Sequence, residues 1–174
     1  MTMTLPSNPL RISVLTVSDT RTIETDRSGQ ALVEFVESTG HHLVGRVIVR
    51  DDIELIRAEV GGLCASRGVD VVLITGGTGI TQRDVTPEAI FPLITKEIPG
   101  FGELFRMLSY QDIGAATIQS RALAALCGAT LVFALPGSTG AVQLAVEKII
   151  RPQLDSNTHP CNFAQLLPRI VSDN

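Results

Sequence analysis

The residues whose types and spacing best suit chemistry lie at positions 69–89. A short run of mainly β-branched residues at 71–74 is bounded by a turn signal and predicts a strand that is buried on both faces. A turn rich in glycine and threonine follows it and consists of Thr75, Gly76, Gly77, Thr78 and Gly79. Because glycine adopts positive φ and has no Cβ, such a turn lets an anion approach main-chain N–H groups.

A carboxylate and a helix start follow this turn. Asp84 precedes Thr86, Pro87 and Glu88, whose types suit an N-cap, a first helical position and an acid that complements the helix dipole. Together they predict an anion site at the carboxyl end of a parallel strand, the edge at which open α/β sheets bind ligands. The alternative is that the glycines only form a tight turn.

Two common phosphate-binding loops are excluded by the residues after Gly79. A P-loop ends in Gly-Lys followed by Ser or Thr, whereas Ile80 and Thr81 stand here. A dinucleotide-binding loop needs a third glycine where Gln82 stands. Since the loop contains no lysine to neutralise a phosphate, we expect a metal ion held by carboxylates.

Strands and helices alternate in the first half of the chain. Strand patterns occupy residues 12–17 and 43–49, before the strand at 71–74. Ser28 suits the N-cap of a helix that ends near Ser38, and Asp52 suits the N-cap of a helix that ends near Ala65. This order predicts a mainly parallel sheet with helices on both faces.

Polar residues follow each of the three predicted strands. Ser18 and Asp19 follow the first, and Asp51 and Asp52 follow the second. Because parallel strands end at the same edge of a sheet, we expect these residues to lie beside the glycine turn. One of the two neighbouring aspartates is free to serve only as a helix cap.

The second half of the chain is less regular. Residues 100–109 have a helical pattern, and residues 130–135 form a clear strand pattern. Residues 119–126 suit either a helix or the first strand of a hairpin. Pro136, Gly137 and Ser138 form another turn at a strand end, and Ser138 suits the cap of a helix to about Ile150.

Composition predicts one globular domain spanning residues 1–174, since 44% of the residues are hydrophobic. The net charge of −4 and the absence of Trp argue against nucleic acid as a partner. Three widely spaced cysteines argue against a disulfide framework or a zinc site. No apolar run reaches the roughly 18 residues of a membrane span, and we expect a cytoplasmic protein.

The two ends of the chain receive separate predictions. Residues 1–9 are polar and uncharged, without the apolar stretch of a signal peptide, and we expect residues 1–10 to be flexible. The tail contains Pro152, Pro160 and Pro168, which exclude a long helix. We therefore expect residues 151–174 to wrap around the domain or a neighbouring subunit.

Four ordered motifs cover most of the chain: TGGTG at 75–79, RDVTPEA at 83–89, PGFGE at 99–103 and LPGS at 135–138. With Ser18-Asp19 and Ser120-Arg121, they resemble the MoaB/Mog family of molybdenum cofactor biosynthesis proteins, and the tail is most similar to the MoaB branch. The resemblance implies a three-layer α/β/α sandwich with a mainly parallel sheet and one antiparallel hairpin strand, at residues 120–127. It also implies a homotrimer or a dimer of trimers.

The resemblance further implies a reaction, the adenylylation of molybdopterin with ATP and Mg²⁺ and the release of pyrophosphate. A molybdenum-insertion protein would then receive the product. Asp51 and Asp84 match the family's functional aspartates and are assigned to catalysis and to the metal. The residues assigned to substrate binding are Ser18, Asp19, Thr75, Gly76, Gly77, Thr78, Gly79, Ser109, Pro136, Gly137 and Ser138.

A second hypothesis is a molybdopterin-binding or carrier oligomer that catalyses nothing. Some members of the MoaB branch lack the aspartate of the Asp-Val-Thr-Pro-Glu motif, whereas this chain retains Asp84. The retained carboxylate favours the enzyme. A third, weaker hypothesis is a nucleotide-binding domain with another substrate, because a fold alone does not fix a function.

Overall fold

The computed structural model describes residues 8–172, so most of the segment expected to be flexible lies outside the described residues. Six strands form one sheet: β1 (Arg11–Val17), β2 (His42–Val49), β3 (Val71–Thr75), β4 (Lys96–Glu97), β5 (Leu123–Cys127) and β6 (Thr130–Leu135). Seven α-helices accompany them: α1 (Arg27–Ser38), α2 (Ile53–Ala65), α3 (Thr86–Ile90), α4 (Pro99–Ile113), α5 (Thr139–Ala145), α6 (Arg151–Leu154) and α7 (Phe163–Ser172).

The sheet is mainly parallel, as predicted. Its strand order is β2-β1-β3-β6-β5-β4, and β1, β2, β3 and β6 run in the same direction. Strand β5 is antiparallel to both of its neighbours, β6 and β4. Residues 119–126 therefore do not form an α-helix: six residues, Gly114–Gln119, form a 3₁₀ segment and the hairpin strand begins at Leu123.

Alternate residues of the central strands enter two hydrophobic cores, one on each face of the sheet. Val14, Leu73 and Phe133 belong to the core that α1, α4 and α5 cover. Leu15 and Val72 belong to the core that α2 and α3 cover. Because both faces of β1, β3 and β6 are buried, these strands have the continuous apolar sequences that the prediction used.

The tail packs against the larger of these cores. A π-helical turn, Val146–Ile150, joins α5 to α6, and Pro168 lies within α7. Leu154, Ala164 and Leu167 are buried among the residues of α1 and α5. Within residues 8–172, no helix is both long and apolar enough to cross a membrane.

Two of the four predicted helix caps are correct. The Asp52 carboxylate accepts hydrogen bonds from the amides of the first turn of α2, and the Ser138 hydroxyl caps α5. Asp26, not Ser28, caps α1 by accepting from the amide of Gly29 at 2.9 Å. Thr86 is the first residue of α3 rather than its cap, because its hydroxyl donates to the Gly76 carbonyl at 2.8 Å.

Asp26 also forms a buried ion pair that supports the segment between β1 and α1. Its side chain is fully buried, and its Oδ2 accepts from the Thr16 hydroxyl at 2.6 Å and from Arg46 Nη2 at 3.0 Å. Burial raises the pKa of Asp26, but the hydrogen bonds from Thr16, Gly29, Arg46 and Ser28 outweigh it and hold the pKa below its ordinary value.

We expect Asp26→Asn to destabilise the fold by about 3–5 kcal/mol, because Arg46 would keep a buried charge without its counterion. Chemical denaturation at neutral pH measures this loss. Glu34→Gln, on the same helix but exposed, is the control and should change stability by less than about 0.5 kcal/mol. Equal losses in the two variants would contradict the role given to the ion pair.

We expect the stability difference between wild type and Asp26→Asn to depend on pH. The ordinary pKa of the group is 3.8 and its folded pKa is lower, so its contribution is complete above about pH 3.8. As pH falls through the folded pKa, the carboxylate is protonated and the contribution is lost. Denaturation of both proteins between neutral and acid pH should show converging stabilities, whereas a constant difference would contradict the assignment.

Candidate active site

One cleft of about 610 Å³ lies at the carboxyl ends of β1, β3 and β6. All the residues assigned to the metal or to substrates line it. They come from five separate parts of the chain: Ser18 and Asp19 after β1, Asp51 after β2, Thr75 at the end of β3 with Gly76, Gly77, Thr78, Gly79 and Asp84 after it, Ser109 on α4, and Pro136, Gly137 and Ser138 after β6. The parallel sheet brings these segments together.

The glycine turn is closely packed against its neighbours. Gly76 and Gly77 have φ values of +105° and +65°, which side chains rarely permit. A Cβ at Gly76 would overlap the carbonyl oxygen of Val17, and a Cβ at Gly77 would overlap the Thr86 hydroxyl. The glycines are therefore required by backbone conformation and by space.

Only part of the glycine turn presents free amides to the cleft. The amide of Gly76 already donates to the carbonyl of Leu135 at 3.0 Å, and the amide of Gly79 is directed at the Asp84 carboxylate. Within residues 8–172, the amides of Gly77 and Thr78 have no hydrogen-bond acceptor. The expected cradle of residues 76–79 thus reduces to its two central amides.

Asp84 is held in place by the loop that contains it. Its Oδ2 accepts from the Thr81 amide at 2.8 Å and from the Thr81 hydroxyl at 2.6 Å. Burial raises the pKa of Asp84, but the bonds from Thr81 and Gly79 and the charge of Arg121 outweigh it and hold the pKa below its ordinary value. Asp84 is therefore an ionised carboxylate at neutral pH.

Asp51 lines the same cleft as Asp84 and lies beside Gly77 of the glycine turn. Its Oδ1 lies 3.0 Å from the position that a Cβ on Gly77 would occupy. Burial first, and then the negative charge of Asp84, raise the pKa of Asp51. Its neighbour Asp52 caps α2, as predicted, so its carboxylate serves the helix rather than the cleft.

The residues present fit a magnesium ion. Two carboxylates line the cleft beside the glycine turn, and Asp51 accepts no hydrogen bond from any residue in 8–172. No group of three or more acidic, histidine or cysteine side chains in the described chain is arranged to hold a metal. Mg²⁺ suits such a pair because it is commonly bound by one or two carboxylates and completes its octahedron with water and phosphate oxygens.

Positive charge in the cleft comes from two arginines. Arg21 and Arg83 line it, and Arg83 forms an exposed ion pair with Asp19. Asp19 therefore contacts an arginine rather than standing free for a substrate. The Ser18 hydroxyl accepts from the amides of Thr20 at 3.3 Å and Arg21 at 3.2 Å, and so shapes the same segment.

The far wall of the cleft combines apolar and hydroxyl groups. Phe105, Ile113 and Ala141 line it beside the buried Ser109. The Thr75 hydroxyl donates to the Pro136 carbonyl at 3.0 Å and joins β3 to the turn after β6. Such a wall suits a flat, partly polar ring system with groups for a few oriented hydrogen bonds.

Arg121 is a site-supporting residue to which the sequence analysis gave no role. It forms an ion pair with Glu88, which was expected only to complement the helix dipole, and its side chain donates to two carbonyls of the loop that carries Asp84. The motif resemblance included the pair Ser120-Arg121, but no local pattern reveals contacts across more than 30 residues.

We expect Gly76→Ala to destabilise the fold by about 1–3 kcal/mol or more, because positive φ and overlap with Val17 both oppose a side chain. Gly140→Ala, where a Cβ meets nothing within 4 Å, is the matched control and should lose no stability. Thermal or urea unfolding measures both variants. A Gly76→Ala protein as stable as wild type would show that the turn has another conformation.

Comparison with known proteins supports a single family. The family model described as a probable molybdopterin binding domain matches residues 13–156. Molybdenum cofactor biosynthesis protein B of Escherichia coli K12 is 53% identical over 155 residues, which cover 89% of this chain and 91% of the relative. The protein of the same name from Bacillus subtilis strain 168 is 53% identical over 146 residues, 83% of this chain and 86% of the relative.

Solved structures agree with the sequence relatives. A crystal structure of molybdenum cofactor biosynthesis protein B superposes with a TM-score of 0.85 at 46% identity and covers 95% of this chain and 98% of the other. The tungsten cofactor synthesizing protein MoaB of Pyrococcus furiosus has a TM-score of 0.74 at 38% identity, over 82% of this chain and 91% of the other. These matches show that the chain belongs to the MoaB/Mog family of molybdenum cofactor biosynthesis proteins.

Proposed function

We propose that this protein transfers the adenylyl group of ATP to the phosphate of molybdopterin. In this reaction a phosphate oxygen of molybdopterin bonds to the α-phosphorus of ATP, the bond from that phosphorus to the bridging oxygen breaks, and pyrophosphate leaves. The observation that carries the proposal is that Asp51 and Asp84 both line a cleft of about 610 Å³ beside the glycine turn, close enough for the charge of Asp84 to raise the pKa of Asp51.

In such a transfer the protein positions the two reacting phosphates and offsets their charge, and it forms no covalent bond to them. The free amides of Gly77 and Thr78 suit one phosphate of a substrate. The hydroxyls of Ser109 and Ser138 and the apolar wall around Phe105 suit the pterin. Two anionic groups are then held in one cleft, and their approach is limited by mutual repulsion.

Asp51 and Asp84 would hold the Mg²⁺ that offsets this repulsion. When bound, the ion neutralises phosphate charge and polarises the phosphorus that is attacked. The chain's own contribution is to keep Asp84 ionised and fixed through Thr81. Among the described residues no lysine lines the cleft, so the charged groups available for this task are the two carboxylates, Arg21, and Arg83 with its partner Asp19.

A molybdopterin carrier without catalytic activity is the competing function. It accounts for the cleft, for the two free amides and for the hydroxyl-rich wall. It gives no reason for two carboxylates to line the cleft where an anionic substrate must bind, because carboxylates without a cation repel a phosphate. The acidic pair therefore favours the metal-dependent transfer.

We expect wild-type protein with molybdopterin and Mg-ATP to release pyrophosphate, and Asp84→Asn to lower the rate by at least about a hundredfold. The reason is that the transition-state charge loses a principal stabiliser, an effect of the size seen when such groups are removed. A coupled pyrophosphate assay measures both proteins.

Asp52→Asn is the matched control for this experiment. Asp52 neighbours Asp51 but its carboxylate caps α2, and asparagine caps a helix about as well as aspartate. We expect its rate to stay within about twofold of wild type. A wild-type protein that binds molybdopterin but releases no pyrophosphate would establish the carrier instead.

We expect nucleotide binding to depend on magnesium. ATP and the two carboxylates carry charge of the same sign, so removal of Mg²⁺ with EDTA should weaken ATP binding by about tenfold or more. Calorimetry with ATP in the presence and absence of Mg²⁺ measures the change. Binding that is equally weak or equally strong in both conditions would contradict a metal held by Asp51 and Asp84.

A further inference from the structure

We infer that Arg121 is a positioning residue that holds the Asp84 loop in the geometry needed to bind the metal ion. This inference rests on the proposed function for the presence of the metal ion. The positioning of the Asp84 loop is argued from the contacts of Arg121 alone. Arg121 lies just before β5 and outside the residues that line the cleft. It therefore acts on the reaction through the loop rather than by touching a substrate.

Arg121 joins four points of the segment that follows β3. Its backbone amide donates to the Thr78 carbonyl at 3.0 Å. Its Nε donates to the Gly79 carbonyl at 2.7 Å, and its Nη2 donates to the Asp84 carbonyl at 2.6 Å. Its Nη1 pairs with the carboxylate of Glu88. One residue thus fixes the entry, the exit and the following helix of the Asp84 loop.

The loop has few other contacts that would fix it in place. Asp84 and Thr81 bond to each other, so these bonds move with the loop and do not anchor it. Thr86 anchors the exit by bonding to Gly76 and Gly77. Between these points, the loop is held by the exposed ion pair of Arg83 with Asp19 and by Arg121, which lies two residues before β5.

Arg121 also offsets negative charge behind the metal site. The hydrogen bond from Arg121 first, and then its charge, lower the pKa of Glu88, whereas burial and the charge of Asp84 raise it. The ion pair is part-exposed, so its value lies in orientation more than in stability.

A lysine cannot reproduce this arrangement. The guanidinium is planar and donates in several fixed directions, and here three of its nitrogens have three different acceptors. A lysine ammonium keeps the positive charge, but it cannot donate to the three acceptors in the fixed directions of the guanidinium. Arg121→Lys therefore separates the positioning role from the charge.

The first test measures Mn²⁺ binding by electron paramagnetic resonance, with no pterin and no turnover. We expect Arg121→Lys to weaken Mn²⁺ binding by about tenfold, the size of effect found when a partner of a metal ligand is changed. Glu88→Gln, which keeps an acceptor for Nη1 but removes the ionic component, should weaken it less. Hydrogen exchange should show faster exchange in residues 78–86 of Arg121→Lys.

Arg106→Lys is the matched control. The Arg106 guanidinium donates to the carbonyls of Ser120 and Ala122, on either side of Arg121, and not to the Asp84 loop. We expect its Mn²⁺ affinity and its exchange in residues 78–86 to match wild type. An equal loss in Arg106→Lys and Arg121→Lys would overturn the inference by showing a general effect of this strand.

The remaining outcomes are also decisive. Unchanged Mn²⁺ affinity in Arg121→Lys overturns the inference, whether or not the loop exchanges faster. Wild-type protein that binds no Mn²⁺ overturns both this inference and the metal assignment. Mn²⁺ binding that depends on Arg121, in a protein that releases no pyrophosphate, supports the inference and overturns only the proposed reaction.

A kinetic test distinguishes positioning from folding. In Arg121→Ala, we expect kcat to fall, the KM for molybdopterin to stay within about twofold, and added guanidinium to restore part of the lost rate. A variant that is merely unfolded would lose kcat without rescue. Loss of molybdopterin affinity with unchanged kcat would overturn the positioning role.

Discussion

The close approach of the Gly76 backbone to two neighbouring strands is the contact on which the cleft depends. Its amide donates to the Leu135 carbonyl, and the place of its missing side chain is filled by the Val17 carbonyl. The Gly137 Cβ position lies only 3.4 Å from Gly76 Cα. The ends of β1, β3 and β6 are thus in direct contact, and any side chain at residue 76 would separate them.

This contact determines where the charged groups lie. The glycine turn, fixed against the sheet, lies beside both carboxylates, Asp51 after β2 and Asp84 beyond the turn. Burial first, and then repulsion by Asp84, raise the pKa of Asp51. A cation bound in the cleft would offset this repulsion.

The sequence predicts the features that are local or strictly periodic. Buried strands such as β3 have short apolar runs, and the glycine turn is visible because no other residue tolerates its geometry. The predictions of helix caps fail where a second interaction competes. Asp26, two residues before Ser28, caps α1, and the Thr86 hydroxyl donates to the Gly76 carbonyl across the loop. Both outcomes are decided by tertiary contacts that the local sequence does not contain.

The residues of the site also differ in how far the local sequence could identify them. The place of Asp84 at the cleft was predictable because it closely follows the glycine turn, and that of Asp51 because parallel strands end at one edge. The hairpin strand β5 was ambiguous, since its alanines and leucines suit a helix until β6 provides a partner. Arg121 received no role because its acceptors lie 33 to 42 residues away along the chain.

The most direct test of the account follows the α-phosphorus of ATP. Wild-type protein is incubated with molybdopterin, Mg²⁺ and ATP labelled with ³²P at the α-position, and the products are separated. The account predicts that the label moves to the pterin while unlabelled pyrophosphate is released in equal amount. If the protein binds molybdopterin but the label remains in ATP, the proposed transfer is contradicted and the protein is a molybdopterin carrier.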